Sequence, residues 1–226
     1  MSDKAAAELI GTAILLFTIQ VSVGQNAALA PLAIGGILVA IVFAAGPISG
    51  AHFNPAVSFA IAVRGGISVP EMITYWAAQL IGAIVGSLCG GIFTSSYATV
   101  SIGADAALTQ ALLAETVFTF ILCFVVLCVA TNPKVENNHY YALSIGLVIV
   151  AGAISVGGIS GGAFNPAVAL GLSITSGMSK LFYALLVSAA NLVGGIVAVG
   201  CFRVVLPSEF ETGGTVGETA PLRGYL

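Results

Sequence analysis

Six long stretches of the chain are almost wholly apolar, at about 5–23, 31–47, 71–93, 107–130, 139–157 and 180–203. A helix of roughly 20 residues crosses a hydrocarbon core of about 30 Å. The pattern therefore predicts six membrane-spanning helices. Polar or Gly- and Pro-rich breaks separate them, at Gly24-Gln25-Asn26, Thr94–Asp105 and Thr131–Asn138. From Pro207 the chain holds Glu, Gly and Thr without periodicity, so 207–226 is read as a disordered or loosely packed polar tail. The membrane domain is then 1–206.

Two shorter apolar stretches do not fit the six. Val57–Val63 runs into Arg64-Gly65-Gly66, and Val168–Ile174 runs into Thr175-Ser176-Gly177. Neither is long enough to span a bilayer. Both open on the same tripeptide, Asn54-Pro55-Ala56 and Asn165-Pro166-Ala167, 111 positions apart. Asn is a favoured N-cap and Pro is favoured at the first helical position. A Ser-Gly stretch that suits irregular backbone precedes each copy. Each copy is read as a loop that opens into a half-helix.

The duplication extends beyond the tripeptide. Ala7-Glu8 and Thr12 match Ala114-Glu115 and Thr119, and Ala78–Val85 matches Ala190–Val197 around Gly82 and Gly194. The chain thus holds two repeats, 5–93 and 107–203, each with three spans and one half-helix. Three is odd, so the second repeat enters the membrane from the opposite side. The expected fold class is an all-α membrane protein with six transmembrane helices, two re-entrant half-helices and an inverted 3+3 repeat. The small residues Gly82, Gly86 and Gly194 suit close helix packing.

Composition sharpens this. The 226 residues are 58% hydrophobic and 7% charged, and mean hydropathy is +1.10. Soluble domains carry about 25% charged residues. Glu8 and Thr12 interrupt the first apolar stretch, which is read as a span and not as a cleaved signal. With the N-terminus inside, Lys4, Arg64, Lys134, Arg203 and Arg223 fall on the inner side and Lys180 alone on the outer. That bias places both termini in the cytoplasm, in a multi-pass protein of the cell membrane. The net charge of −3 comes with no basic patch, which excludes nucleic acid as a partner. Cys89, Cys123, Cys128 and Cys201 have no metal or redox spacing and are read as packing residues. No cofactor or metal is called for. No nucleophile, metal cluster or phosphate loop lies at plausible depth, so an enzyme is not expected.

Opposed half-helices would meet near the bilayer centre. Irregular backbone at that depth must be buried in protein or line a wet cavity. The carbonyls of Gly50, Ala51, His52, Gly161, Gly162 and Ala163 can line a lumen as acceptors. Asn54 and Asn165 supply amide donors at the midpoint, and two helix N-termini add positive potential there. Such a pore passes small polar neutral molecules and disfavours protons.

With these residues the chain resembles the aquaporin and glycerol-facilitator family over about residues 5–205. The resemblance rests on Glu8, Gly11-Thr12, Ser49–Val57, Gln79, Gly82, Glu115 and Ser160–Ala167. It implies one pore per subunit and a homotetramer in the lipid bilayer. It also implies that Glu8 and Glu115 bond the backbone of the re-entrant loops. Proton transfer is the competing role for these two residues, and their symmetry under the repeat argues for scaffold. His52 has two readings, a loop-packing histidine or a group that gates the pore or responds to pH. His139 is read as solvated.

One departure stands out. In typical members an Arg follows the second Asn-Pro-Ala and forms the narrowest outer constriction. Here that position is Val168. By the same resemblance the other constriction positions fall on Ile34, Ala153 and Gly162. The expected filter is wide, apolar and uncharged, with weak size selection and one electrostatic barrier to cations missing. A bulky neighbour such as Phe17 or Phe43 filling the space left by Arg is the competing picture. Gly162 replaces a Cys found in some water channels, so mercurial block there is not expected. The expected function is a passive channel for water and small uncharged solutes such as glycerol and urea. Alternatives are a strictly water-selective aquaporin and an inverted-repeat secondary transporter. Coupling would need an ionisable group at the midplane, where the sequence places only Asn54 and Asn165. A selective ion channel would need a ring of carboxylates, and none lines the expected pore.

Overall fold

Each long apolar stretch becomes one helix, with ends set by local chemistry. In the computed structural model, which describes residues 1–207, these are α1 Asp3–Gly24, α2 Ala30–Ser49, α4 Val69–Gly91, α5 Leu108–Ala130, α6 Tyr141–Ser160 and α8 Leu181–Val205. All six are long and apolar enough to cross a membrane. Two ten-residue helices complete the set, α3 Pro55–Arg64 and α7 Pro166–Thr175. At 1.5 Å per residue each is about 15 Å long, half a bilayer core. The 207–226 tail lies outside the described residues, apart from Pro207.

Capping sets the boundaries. Ser2 and Ser68 accept the N–H of Ala5 and Glu71 at the starts of α1 and α4. α2 and α6 run two or three residues beyond their expected ends. They stop at Gly50 and Gly161, whose φ values of 84° and 90° only glycine adopts without strain. Pro47 sits in the last turn of α2 without ending it. Between each of these helices and the half-helix that follows it, the irregular backbone is four residues and an Asn cap, 50–54 and 161–165.

Packing follows the repeat. α1 lies on α4 and α2, as α5 lies on α8 and α6. Gly82 would place a Cβ 2.3 Å from the Leu9 carbonyl, and Gly194 would place one 2.5 Å from the Thr116 carbonyl. These equivalent positions let α4 and α8 close onto α1 and α5. The repeats meet at α2 and α6, where a Cβ on Gly35 would lie 2.7 Å from the Gly146 carbonyl and one on Gly146 would lie 2.6 Å from the Gly35 carbonyl. That reciprocal contact marks the pseudo-two-fold axis. The half-helices cross the divide: α3 packs on α8 and α7 on α4.

Two ends of the bundle are distinct. One end gathers Lys4, Arg64, Glu71, Thr131 and Phe202. Lys4 pairs with Glu71 at 2.8 Å. Arg64 donates to the Thr131 carbonyl and lies 5.5 Å over the Phe202 ring. At the other end the 94–107 segment folds over the helix ends. Gln20, fully buried in α1, donates to Thr94 Oγ1 and the Ser96 carbonyl and accepts from the Ala98 N–H.

Candidate functional site

The site begins with the two four-residue segments, which hold backbone that L-residues rarely adopt. Ala51, Phe53 and Phe164 have φ of 51°, 49° and 49°. Conformations of this kind persist only when the surroundings over-determine them. Here the surroundings are two buried carboxylates. Glu8 accepts from the N–H of His52 (2.9 Å) and Phe53 (2.7 Å), from Ser49 Oγ (2.7 Å) and from Gln79 Nε2 (2.8 Å). Glu115 accepts from the N–H of Ala163 (2.9 Å) and Phe164 (2.8 Å), from Ser160 Oγ (2.8 Å) and from Asn191 Nδ2 (2.9 Å). Each carboxylate thus meets four donors, two per oxygen, as an acceptor-only group requires. Tyr75 and Tyr183 complete the cradles by donating to the carbonyls of Ser49 and Ser160. The Phe53 ring needs the space left by Gly11, where a Cβ would come within 2.1 Å. Phe164 lies against Phe118 at 5.4 Å between ring centroids.

So held, the segments present Asn54 and Asn165 tip to tip. Each Oδ1 caps its own half-helix, accepting the N–H of Ala56 or Ala167 at 2.9 Å. Each amide nitrogen donates across the repeat: Asn54 Nδ2 to the Phe164 carbonyl and Asn165 Nδ2 to the Phe53 carbonyl, both 2.8 Å. This pair of bonds locks the two half-helix N-termini together at the centre of the molecule. One amide hydrogen per Asn is used in the lock, so one remains for the lumen. Sequence reasoning gave both asparagines to the lumen. The cross-repeat bonds were invisible to it because they join residues 110 and 112 positions apart.

Beside this junction runs a cavity with room for about 50 Å³ of water-sized occupants. Of the residues the sequence assigns to the pore, Gly50, Ala51, His52, Asn54, Gly162, Ala163, Asn165, Ile34 and Val168 line it. Gly161 does not, and a Cβ there would meet Val100 and Ser101 instead. Ala153 does not either, and Tyr141, Ile145 and Ile149 represent α6 in the lining. Pro55, Pro166, Ala56 and Ala167 are buried behind the lumen in the first turns of α3 and α7. Phe17 and Phe43 lie outside the lining, paired with Phe93 and Tyr141. Among the lining residues none carries a fixed charge.

The sequence profile of the major intrinsic protein family matches residues 1–157 and 134–222. The chain belongs to the major intrinsic protein family. Its relatives there include a glycerol uptake facilitator protein-like 6 from Lactiplantibacillus plantarum, 33% identical over 89% of this chain and 97% of that protein. A probable aquaporin TIP2-2 from Oryza sativa is 36% identical over 63% of this chain and 57% of that protein. The crystal structure of the aquaglyceroporin from Plasmodium falciparum superposes with a TM-score of 0.79 and 26% identity, covering 92% of this chain and 98% of that one. Within this family of membrane channels the paired Asn-Pro-Ala helices, the carboxylate cradles and the lumen beside them form the candidate site. Two of its supports carry no sequence signal of their own. Trp76 Nε1 donates to the Pro55 carbonyl at 2.9 Å. The hydroxyls of Ser87 and Thr175 meet at 2.8 Å between α4 and α7.

Proposed function

We propose that the protein is a passive channel for water and small uncharged solutes of the glycerol and urea type, with an outer filter at Ile34, Gly162 and Val168 that lacks the usual Arg. The observation that carries this is the lumen itself. It passes the Asn54–Asn165 junction, its polar lining comes from the two loops, the two asparagines and the His52 and Tyr141 side chains, and no lining side chain bears a fixed charge. Neutral solutes exchange water hydrogen bonds for those carbonyls, while an ion meets a low-dielectric wall and the positive ends of α3 and α7. Coupled transport would need an ionisable group in the path, and the buried Glu8 and Glu115 have their oxygens occupied by the loops.

Both termini are assigned to the cytoplasm by the excess of Lys and Arg on that side, and the working unit is assigned as a homotetramer by likeness to the family. Stopped-flow light scattering on proteoliposomes tests the channel. Water flux well above that of empty vesicles, with glycerol or urea entry, is the expected result. Water flux at the level of empty vesicles overturns it. Strict water selectivity is the second reading. It is favoured by the small cavity volume of about 50 Å³. Rapid water flux without solute entry selects that reading.

A further inference from the structure

The lumen does not obey the repeat. Ile61, Ala130 and Tyr141 line it, whereas their counterparts in the other repeat, Leu172, Val23 and Ala30, do not. These three residues mark the Lys4–Arg64 end of the bundle. Ile61 lies one turn before Arg64 on α3, and Ala130 precedes Thr131, whose carbonyl accepts from Arg64. The cavity thus reaches one helical turn further toward this end than toward the other. On α6 that turn is Tyr141, the first residue of the helix.

Outside the 50–54 loop, Tyr141 is the only aromatic among the described lining residues. Its ring is held on two sides. Phe43 meets it edge-on at 5.2 Å between centroids. Gly46 makes room for it on α2, where an added Cβ would lie 3.1 Å from the Tyr141 hydroxyl oxygen and 3.6 Å from a ring carbon. Gly46 itself does not line the lumen, so the ring stands between α2 and the path of the solute. A side chain only 4% exposed and packed in this way has little room to swing aside. A fixed ring in a wall of aliphatic side chains limits the width of what passes. We propose that Tyr141 is a specificity-determining residue of this pore, whose ring forms a second constriction at the Lys4–Arg64 end and selects small uncharged solutes by width. This rests on the channel reading and deepens it. The outer wall of Ile34, Gly162 and Val168 carries neither an aromatic ring nor an Arg, so discrimination against wider solutes falls to Tyr141.

The test reads water, urea and glycerol fluxes of the full chain in proteoliposomes. Tyr141→Ala installs the residue that the other repeat carries at the start of α2. It is expected to raise the glycerol-to-water flux ratio at least about fivefold, and the urea-to-water ratio less, because glycerol is the wider solute. An unchanged glycerol ratio overturns the proposal. Tyr141→Phe puts the ring back without its hydroxyl and is expected to return the ratio to within about twofold of the native value. A Phe variant that behaves like Ala overturns the proposal, since the hydroxyl and not the width would then decide. Gly46→Ala keeps Tyr141 and presses its ring toward the lumen, which guards against a Tyr141→Ala chain that fails to fold. It is expected to lower the glycerol-to-water ratio at least about twofold, and an unchanged or raised ratio overturns the proposal. If the native channel passes water alone, the solute part of the proposed function fails. Tyr141→Ala is then expected to admit urea or glycerol, and continued exclusion of both overturns the proposal. Native water flux at the level of empty vesicles overturns the channel reading and this proposal with it.

Discussion

Glu8 and Glu115 each hold one of the two loops that lead into the half-helices. Each fixes two consecutive loop N–H groups that would otherwise be orphaned at membrane depth, and each does so beside a phenylalanine at φ 49°. Hydrogen bonds to a charged group are worth about 1.5–3 kcal/mol each. Glu115→Gln turns one acceptor oxygen into a donor that faces the donors already there. The expected outcome is a loss of about 2–4 kcal/mol, seen as a lower Tm in detergent together with lost water flux. An unchanged Tm with altered proton leak would instead favour proton transfer. The sequence pointed to these glutamates because ionisable residues inside spans are rare. It could not show that the Asn amides are shared between lumen and lock, nor that Ser58 and Gln79 tie His52 down. Those facts depend on contacts between residues far apart in the chain.

At the scale of elements, glycine decides how closely the helices approach. Gly86 on α4 faces α1, where an added Cβ would lie 2.0 Å from the Ala13 carbonyl. Gly200 on α8 has nothing within 4 Å of such a Cβ. Gly86→Ala is expected to destabilise by about 1–3 kcal/mol through overpacking against backbone. Gly200→Ala is expected to be neutral or to stabilise by up to about 1 kcal/mol, since Ala is the better helix former. Thermal melts of the two variants side by side check this, and equal shifts would refute it. Helix count and approximate ends were legible in the sequence because apolar runs of membrane length have few other uses. The C-terminal ends of α2 and α6 lie two or three residues beyond the approximate ends expected. Helical turns continued through Pro47 and the following residues until a left-handed glycine stopped them. The role of Gln20, which holds the 94–107 segment through three hydrogen bonds, had no local signature. Gln20→Leu is expected to raise protease sensitivity of that segment in reconstituted vesicles while leaving the half-helix junction intact.

For the whole molecule, function depends on a lumen that no single element forms. It borrows Ile34 from α2, Ile149 from α6, Val57 and Val168 from the half-helices and carbonyls from both loops. Val168→Arg would put five donors and a fixed charge into that apolar wall. Glycerol and urea flux are expected to fall about tenfold with water flux reduced less than threefold, read by stopped-flow light scattering. Solute flux equal to that of the native channel would show that Val168 lies outside the constriction.

The sequence alone determined the membrane class, the six spans, the two half-helices and their inversion. These follow from hydropathy, from the Asn-Pro-Ala start signal and from the parity of three spans per repeat, all of which are local or countable. Tertiary structure decided the rest. It joined Asn54 to Phe164 and Asn165 to Phe53, placed Ile149 rather than Ala153 in the lumen wall, and left Phe17 and Phe43 outside it. Helix rotation and loop path settle which face of a residue meets the pore. Both are fixed by packing at contacts such as Gly35 with Gly146, where two segments distant in the chain exclude each other's side chains.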